Sequence, residues 1–205
     1  MSHEAVNSAP GRARATHDDV IDLAYAWFRA GRRVDIGQLA RELGIGRATV
    51  YRWCSGREHI LGEVVWRILI EAIERVESRH PGDDAATFIE NFGRMAAMVR
   101  SYEPLERFLA DDPEYALRVL TSRYSVVQGR LIDWTVARLR LIPDIESHTD
   151  ATDLAYAIVR VGESFIWSDM ITGQRPQPDK ATTMVRLLVV GACSRLPLPG
   201  DHSGH

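Results

Sequence analysis

The chain reads as an all-α protein: a three-helix head holding a helix-turn-helix, followed by a larger helical bundle domain. Three observations support this fold class. Residues 35–53, DIGQLARELGIGRATVYRW, contain two short helical patterns around a Gly-centred turn. From Asp84 onward every convincing apolar pattern has helical spacing, and none alternates as a half-buried strand does. The breaks between patterns fall at Pro104, Pro113, Pro143, the run Gly173 to Pro178, and Pro197-Leu198-Pro199-Gly200. Pro104, Pro113 and Pro178 sit where a first helical turn tolerates the missing amide.

Residues 1–15, with Pro10-Gly11, Arg12 and Arg14, read as a flexible N-terminal arm. Thr16, with Asp19 three residues on, starts a helix of about residues 17–30 whose apolar positions include Val20, Ala24, Trp27 and Phe28. Gly31 ends it, and Val34 with Ile36 returns the chain to that apolar face. Asp35 and Gln38 provide an Asx-type cap and a capping-box pattern for the next helix, whose apolar side is Leu39, Ala40 and Leu43. Gly44 suits a left-handed closing residue, and Gly46 opens the following helix without a side chain at the cap. In that helix Ile45, Ala48 and Val50 are assigned to the core. A long amphipathic helix over 57–80, closed by Pro81-Gly82, then links the head to the rest. Further helices are expected near 84–100, 103–110, 113–122, 125–142, 150–170 and 178–193. The resulting organisation is an arm (1–15), a helix-turn-helix domain (16–62), a larger helical domain (63–195), to which the resemblance described below assigns ligand binding and dimerisation, and a flexible tail (196–205).

With 205 residues, 45% hydrophobic and 26% charged, the chain buries a substantial core and is not a disordered polymer. Residues 1–62 hold nine Arg and seven acidic residues, a net of +2, while the remainder holds 16 basic and 21 acidic residues, a net of −5. The overall charge of −3 argues against non-specific coating of nucleic acid, and suits positive charge concentrated at one end. Because 24 of the 25 basic residues are Arg, the Arg count is not itself a binding signal. Cys54 and Cys193 have no metal-like spacing, and neither a metal nor a cofactor is expected. The polar N-terminus is not a signal peptide, and no stretch approaches the roughly 20 apolar residues a bilayer requires. A reducing, cytoplasmic setting without membrane attachment is therefore expected.

The chemistry lies in what the helix starting at Arg47 leaves exposed. Arg47, Thr49, Tyr51 and Arg52 are too polar to be buried together without partners. Arg donates two parallel hydrogen bonds to guanine, and the hydroxyl or methyl of Thr reads a base edge. Tyr51 and Arg52 suit phosphate oxygens, as does Arg57 beside the unpaired amides at the start of the next helix. The plainer reading is a generic helix pair on a solvated surface. An enzyme is not expected: there is no G-x-S-x-G elbow, H-E-x-x-H, Walker loop or Gly-rich dinucleotide turn, and the seven His are dispersed. The pairs Asp83-Asp84 and Asp111-Asp112 are read as helix caps rather than acid/base pairs.

Residues 16–62 resemble the DNA-binding head of the TetR family of bacterial transcriptional regulators. The resemblance rests on Gly44-Ile45-Gly46-Arg47-Ala48-Thr49-Val50-Tyr51-Arg52-Trp53-Cys54-Ser55-Gly56-Arg57-Glu58. It implies base or phosphate contacts for Arg47 and Thr49, a backbone contact for Tyr51, and Arg57 in the place of a phosphate-binding Lys. Arg52, Gln38, Thr16 and Arg14 complete the candidate DNA-binding set. Gly46 and Gly56 stand where the family keeps Ser or Thr caps, which loosens each helix start by a few tenths of a kcal/mol, and Cys54 stands where it keeps Phe. The segment Ser164 to Met170, with Gly173 to Pro176, is similar to a subgroup typified by the regulator of a quorum-signal lactonase.

The resemblance implies a homodimer on double-stranded DNA, because two reading helices about one helical turn apart read a pseudo-palindrome. The last two helices, within residues 150–193, offer more apolar surface than one partner covers. Phe92, Met95, Phe108, Tyr124, Trp134 and Trp167 are candidates for lining a ligand cavity, with Asn91, Arg94 and Glu163 as polar anchors. Apolar lining plus subgroup likeness suggests a small hydrophobic effector such as an acyl lactone or a fatty-acyl derivative. The implied mechanism is allosteric derepression, in which the helix over 57–80 swings and changes the separation of the heads. The rival is a helical small-molecule-binding or interaction protein whose head does not read DNA.

Overall fold

The computed structural model describes residues 15–143, 145 and 149–194. These form helices and connecting turns, with no strand among the described residues. Four helices build the head and its exit: α1 (His17–Arg29), α2 (Ile36–Leu43), α3 (Arg47–Cys54) and α4 (Arg57–Arg79). The remainder consists of α5 (Ala85–Arg100), α6 (Glu103–Asp111), α7 (Pro113–Thr121), α8 (Val126–Leu139), α9 (Ala151–Ile166), α10 (Ser168–Thr172) and α11 (Pro178–Cys193).

The helix starts follow from local hydrogen-bond chemistry. Thr16 and Asp19 close a reciprocal capping box on α1. Asp35 accepts from the Gln38 amide at 2.8 Å, but the second half of that box is missing because Gln38 Oε1 instead accepts from Arg32 at 3.4 Å. Asp84, Asp112, Ser125 and Asp150 cap α5, α7, α8 and α9 through their side chains. Of the acid pairs, only Asp84 and Asp112 act as caps in this way: Asp83 pairs with Arg138 at 2.9 Å, and Asp111 is the last residue of α6.

One expected helix, 150–170, is two. Its backbone breaks at Trp167, where α9 ends and α10 begins. The buried Ser168 hydroxyl donates to Arg175 O at 2.9 Å and Phe165 O accepts from the Gln177 amide at 3.0 Å, so the 173–177 loop is tied to the break. Apolar periodicity carries no information about such a polar tether.

α4 organises the molecule. At ~1.5 Å per residue its 23 residues span roughly 35 Å, and its buried stripe runs from Ile60 and Leu61 through Val64, Val65, Ile68, Leu69 and Ile73 to Val76. One apolar core follows this stripe from α1–α3 into α5–α7 and reaches Val127 and Trp167. A second core lies between α5, the end of α8, α9 and α11, around Ile89, Leu139, Ile158, Val185 and Val189. No described helix is long and apolar enough to cross a membrane.

Candidate functional site

In α3 the inner face is set by Val50 and Cys54, both 0% exposed and one helical turn apart. Arg47, at the first turn of the helix, and Tyr51 and Arg52 are exposed, with Thr49 half-buried. Ala48 is also exposed, contrary to the core role expected for it, because it lies about 200° around the helix from Val50. Arg47 and Arg52 form no hydrogen bond or ion pair with the described residues. The two ends of α3 are turned sharply. Gly44 closes α2 at φ 68°, and Ser55 (φ 54°) with Gly56 (φ 130°) leads directly into α4. Ser55 is the only described non-glycine residue at positive φ, a conformation that disfavours a side chain.

Arg47 has a defined resting place. Its guanidinium lies over Gly37 of α2, so closely that a Cβ on residue 37 would sit 3.1 Å from Nε. Gln38 is exposed on the same helix and Thr16 is exposed at the start of α1. Arg14 lies outside the described residues.

Arg57 differs from the other candidates. It is half-buried; its Nε donates to Val34 O at 2.8 Å, and its guanidinium carbon lies 4.8 Å from the Tyr115 ring centre on α7. This position braces the turn before α2 against the C-terminal helices. This engagement fixes the side chain at the start of α4, the place from which the motif expects a phosphate contact. The sequence could not signal it, because Val34 and Tyr115 lie 23 and 58 residues away.

A second site lies between α4, α5, α7, α8 and α9 and is closed by Trp167 at the break after α9. Phe92, Met95, Trp134, Glu163 and Trp167 line one cavity of about 60 Å³. Its wall is apolar apart from Thr135, Glu163 and the two indole N–H groups. A void of about 150 Å³ accommodates benzene, so a larger effector requires side chains to move. Phe92 packs directly on Gly162, its Cζ 3.0 Å from the position a Cβ there would occupy. Glu163 is 8% exposed and pairs with Arg160 at 3.2 Å. Burial, only partly offset by Arg160, pushes its carboxyl up to about 7.

Four expected lining residues lie elsewhere. Phe108 packs edge-on against Phe28 of α1 and Tyr115 of α7, at the junction with the head. Tyr124 is 78% exposed and meets Arg123. Asn91 donates to His80 O at 2.8 Å, and Arg94 pairs with Glu90 on its own helix at 2.9 Å, not with Glu163. Residue type alone cannot separate them from the true lining, because Phe108 is as apolar as Phe92. Thr135 and Gly162 were missed. A Gly inside the apolar pattern of α9 was the available signal, since it marks a close approach by another group.

Trp167 joins the cavity to a polar knot. Arg100 of α5 lies 5.5 Å from its ring and bonds Asp169 of α10 at 3.1 Å. The same guanidinium reaches Glu106 of α6 at 3.5 Å. The described residues contain no cluster of His, Cys, Asp and Glu able to hold a metal.

A family model for the tetracyclin repressor-like C-terminal domain matches residues 84–190, more than half of the chain. The protein belongs to the TetR family. Among solved structures, this TetR-family chain is similar to the R. erythropolis transcriptional repressor QsdR, with 23% identity and a TM-score of 0.78 over 85% of this chain and 94% of that one. At that identity the likeness concerns the fold. Comparison with curated proteins gave no match. Membership places the chain among transcriptional regulators rather than enzymes.

Proposed function

We propose that this protein is a ligand-responsive repressor that binds a pseudo-palindromic operator as a homodimer and is released by a small, largely apolar effector. The observation that carries the reading is α3, whose outward side holds Arg47, Tyr51 and Arg52 without internal polar partners. Residues 16–62 serve as the DNA-binding unit, with Arg47 and Thr49 at base edges and Tyr51 and Arg52 on phosphates. Residues 63–195 serve ligand binding and dimerisation, and the protein works in the cytoplasm.

The homodimer uses the outer faces of α9 and α11. Tyr156 (53%), Leu187 (63%) and Val190 (50%) are exposed there, and a second copy would remove this apolar area from water. Release follows from α4, which belongs to the head core and also packs against α5, α7 and α8. An effector that widens the cavity shifts α4 and with it the spacing of the two α3 helices.

The test is selection of bound sequences from a random duplex library, with wild-type protein and with Arg47→Ala and Thr49→Ala. The expected result is a palindromic preference that each variant loses at particular base pairs. Uniform weakening, or no preference, would favour a helical ligand-binding protein whose head does not read DNA. Sizing in solution checks the dimer.

A further inference from the structure

The chemistry of the cavity wall restricts what it accepts. Besides the uncharged indole N–H groups of Trp134 and Trp167, its two polar side chains, Thr135 and Glu163, offer hydrogen-bond acceptors. Thr135 Oγ1 donates its proton to Leu131 O at 2.7 Å, leaving only lone pairs for anything else. Glu163 Oε2 accepts from Arg160, whereas its Oε1 receives no hydrogen bond from the described residues. That oxygen is an unused acceptor, and a ligand that supplies a donor pairs it.

No other ionisable side chain lines the cavity from α4, α5, α7 or α8. The nearby cation on α9, Arg160, is held away from it by Thr121 O at 3.0 Å as well as by Glu163. Arg100 lies behind the Trp167 ring, where Asp169 and Glu106 offset its charge. Glu163 is therefore the one ionisable side chain among the described lining residues.

Resting on the reading of this cavity as the effector site, we propose that its ligand is an apolar molecule ending in a hydrogen-bond donor, a protonated amine being held most tightly, and that Glu163 Oε1 receives the donor while rejecting carboxylates. The fatty-acyl class suggested by the subgroup resemblance is thereby narrowed. A free fatty acid would set its carboxylate against Glu163, whereas an amide offers its N–H to the same oxygen.

The experiment is calorimetric titration of the full-length protein, without DNA, with octylamine, octanamide and octanoate at pH 8 and pH 6. At pH 8 the amine should bind at least about tenfold more tightly than octanoate, with the amide between them. At pH 6, where Glu163 is largely protonated, octanoate should gain and the amine lose. Glu163→Gln should reduce the preference at pH 8 to within about threefold. If that variant fails to fold, the wild-type pH series decides. Octanoate binding as well as octylamine at pH 8, a preference that persists in Glu163→Gln, or no binding by any probe would each overturn the proposal. Amine binding that leaves a bound duplex in place would count against derepression alone. Release of the duplex by a carboxylate that binds this cavity would count against the donor requirement alone.

Discussion

The outer side of α3 and the cavity wall handle polar groups in opposite ways. On α3, Arg47, Tyr51 and Arg52 stand in solvent, while Val50 and Cys54 are buried and Trp53 packs against the core beside them. In the cavity one carboxyl group is buried among aromatic and aliphatic side chains, with a single cation beside it. The first arrangement spends little stability on function, because water solvates the polar groups until a partner replaces it. The second holds a carboxyl group away from water, which disfavours its charged form. Substitutions in the two regions should therefore separate stability from binding in different proportions.

The largest expected contrast is between two aromatic truncations. Trp167→Ala removes a ring that is 6% exposed and touches both the cavity and Arg100, and should destabilise the protein by about 3–5 kcal/mol in a urea titration. Tyr51→Ala, at 55% exposure, should change stability by no more than about 0.5 kcal/mol while weakening all duplexes alike. Equal stability losses would break the contrast and place Tyr51 in a structural role.

Arg47→Ala should leave the unfolding midpoint nearly unchanged and cost about 1–3 kcal/mol of discrimination at the base pair it reads. Duplex titrations with single-base variants measure this directly. A loss spread evenly over all sequences would move Arg47 from base reading to the phosphate backbone.

Glu163→Gln provides the matching test in the cavity, and its sign is set by linkage. The folded carboxyl titrates near 7, above the ordinary 4.5. Between those values the folded state holds a proton that the unfolded state has lost, so stability falls as pH rises through this window. Gln carries no such penalty. The variant should therefore match wild type near pH 4 and gain on it by on the order of 2 kcal/mol by pH 8. A difference in thermal midpoint that does not change with pH would show that Arg160 already neutralises the buried charge.

The two regions also differed in how far the sequence revealed them. The head was legible because its signals are local: Thr16 and Asp19 cap α1, and Gly44 takes the left-handed conformation that its place between two short patterns demands. Arg57 was the exception, since its partners Val34 and Tyr115 arrive from other parts of the chain. The cavity is assembled from five helices and the Trp167 break, and periodicity marks which side of each helix is apolar without showing where the sides meet. Phe92 and Trp167 lie on its wall, whereas Phe108 and Tyr124 lie away from it for that reason. The break at Trp167 was hidden because the Ser168 tether is polar and reaches seven residues ahead.

The smallest expected effect bears on whether α3 is preorganised. Gly37 lacks a side chain where the Arg47 guanidinium rests, and the Cβ of an alanine there would approach Nε and one terminal nitrogen to 3.1 Å. Both atoms belong to the far end of a flexible side chain, so Gly37→Ala should displace Arg47 at little energetic cost. Alanine is also the better helix former, by up to about 1 kcal/mol in a helix interior and less at this second position of α2. The variant should thus be as stable as wild type or slightly more so, while its duplex affinity falls a few-fold, roughly 1 kcal/mol, at the Arg47-dependent base pair alone. Unchanged affinity would mean that Arg47 leaves Gly37 before it reads. In that case the reading conformation of α3 forms on the DNA, and the contrast with the built cavity becomes sharper still.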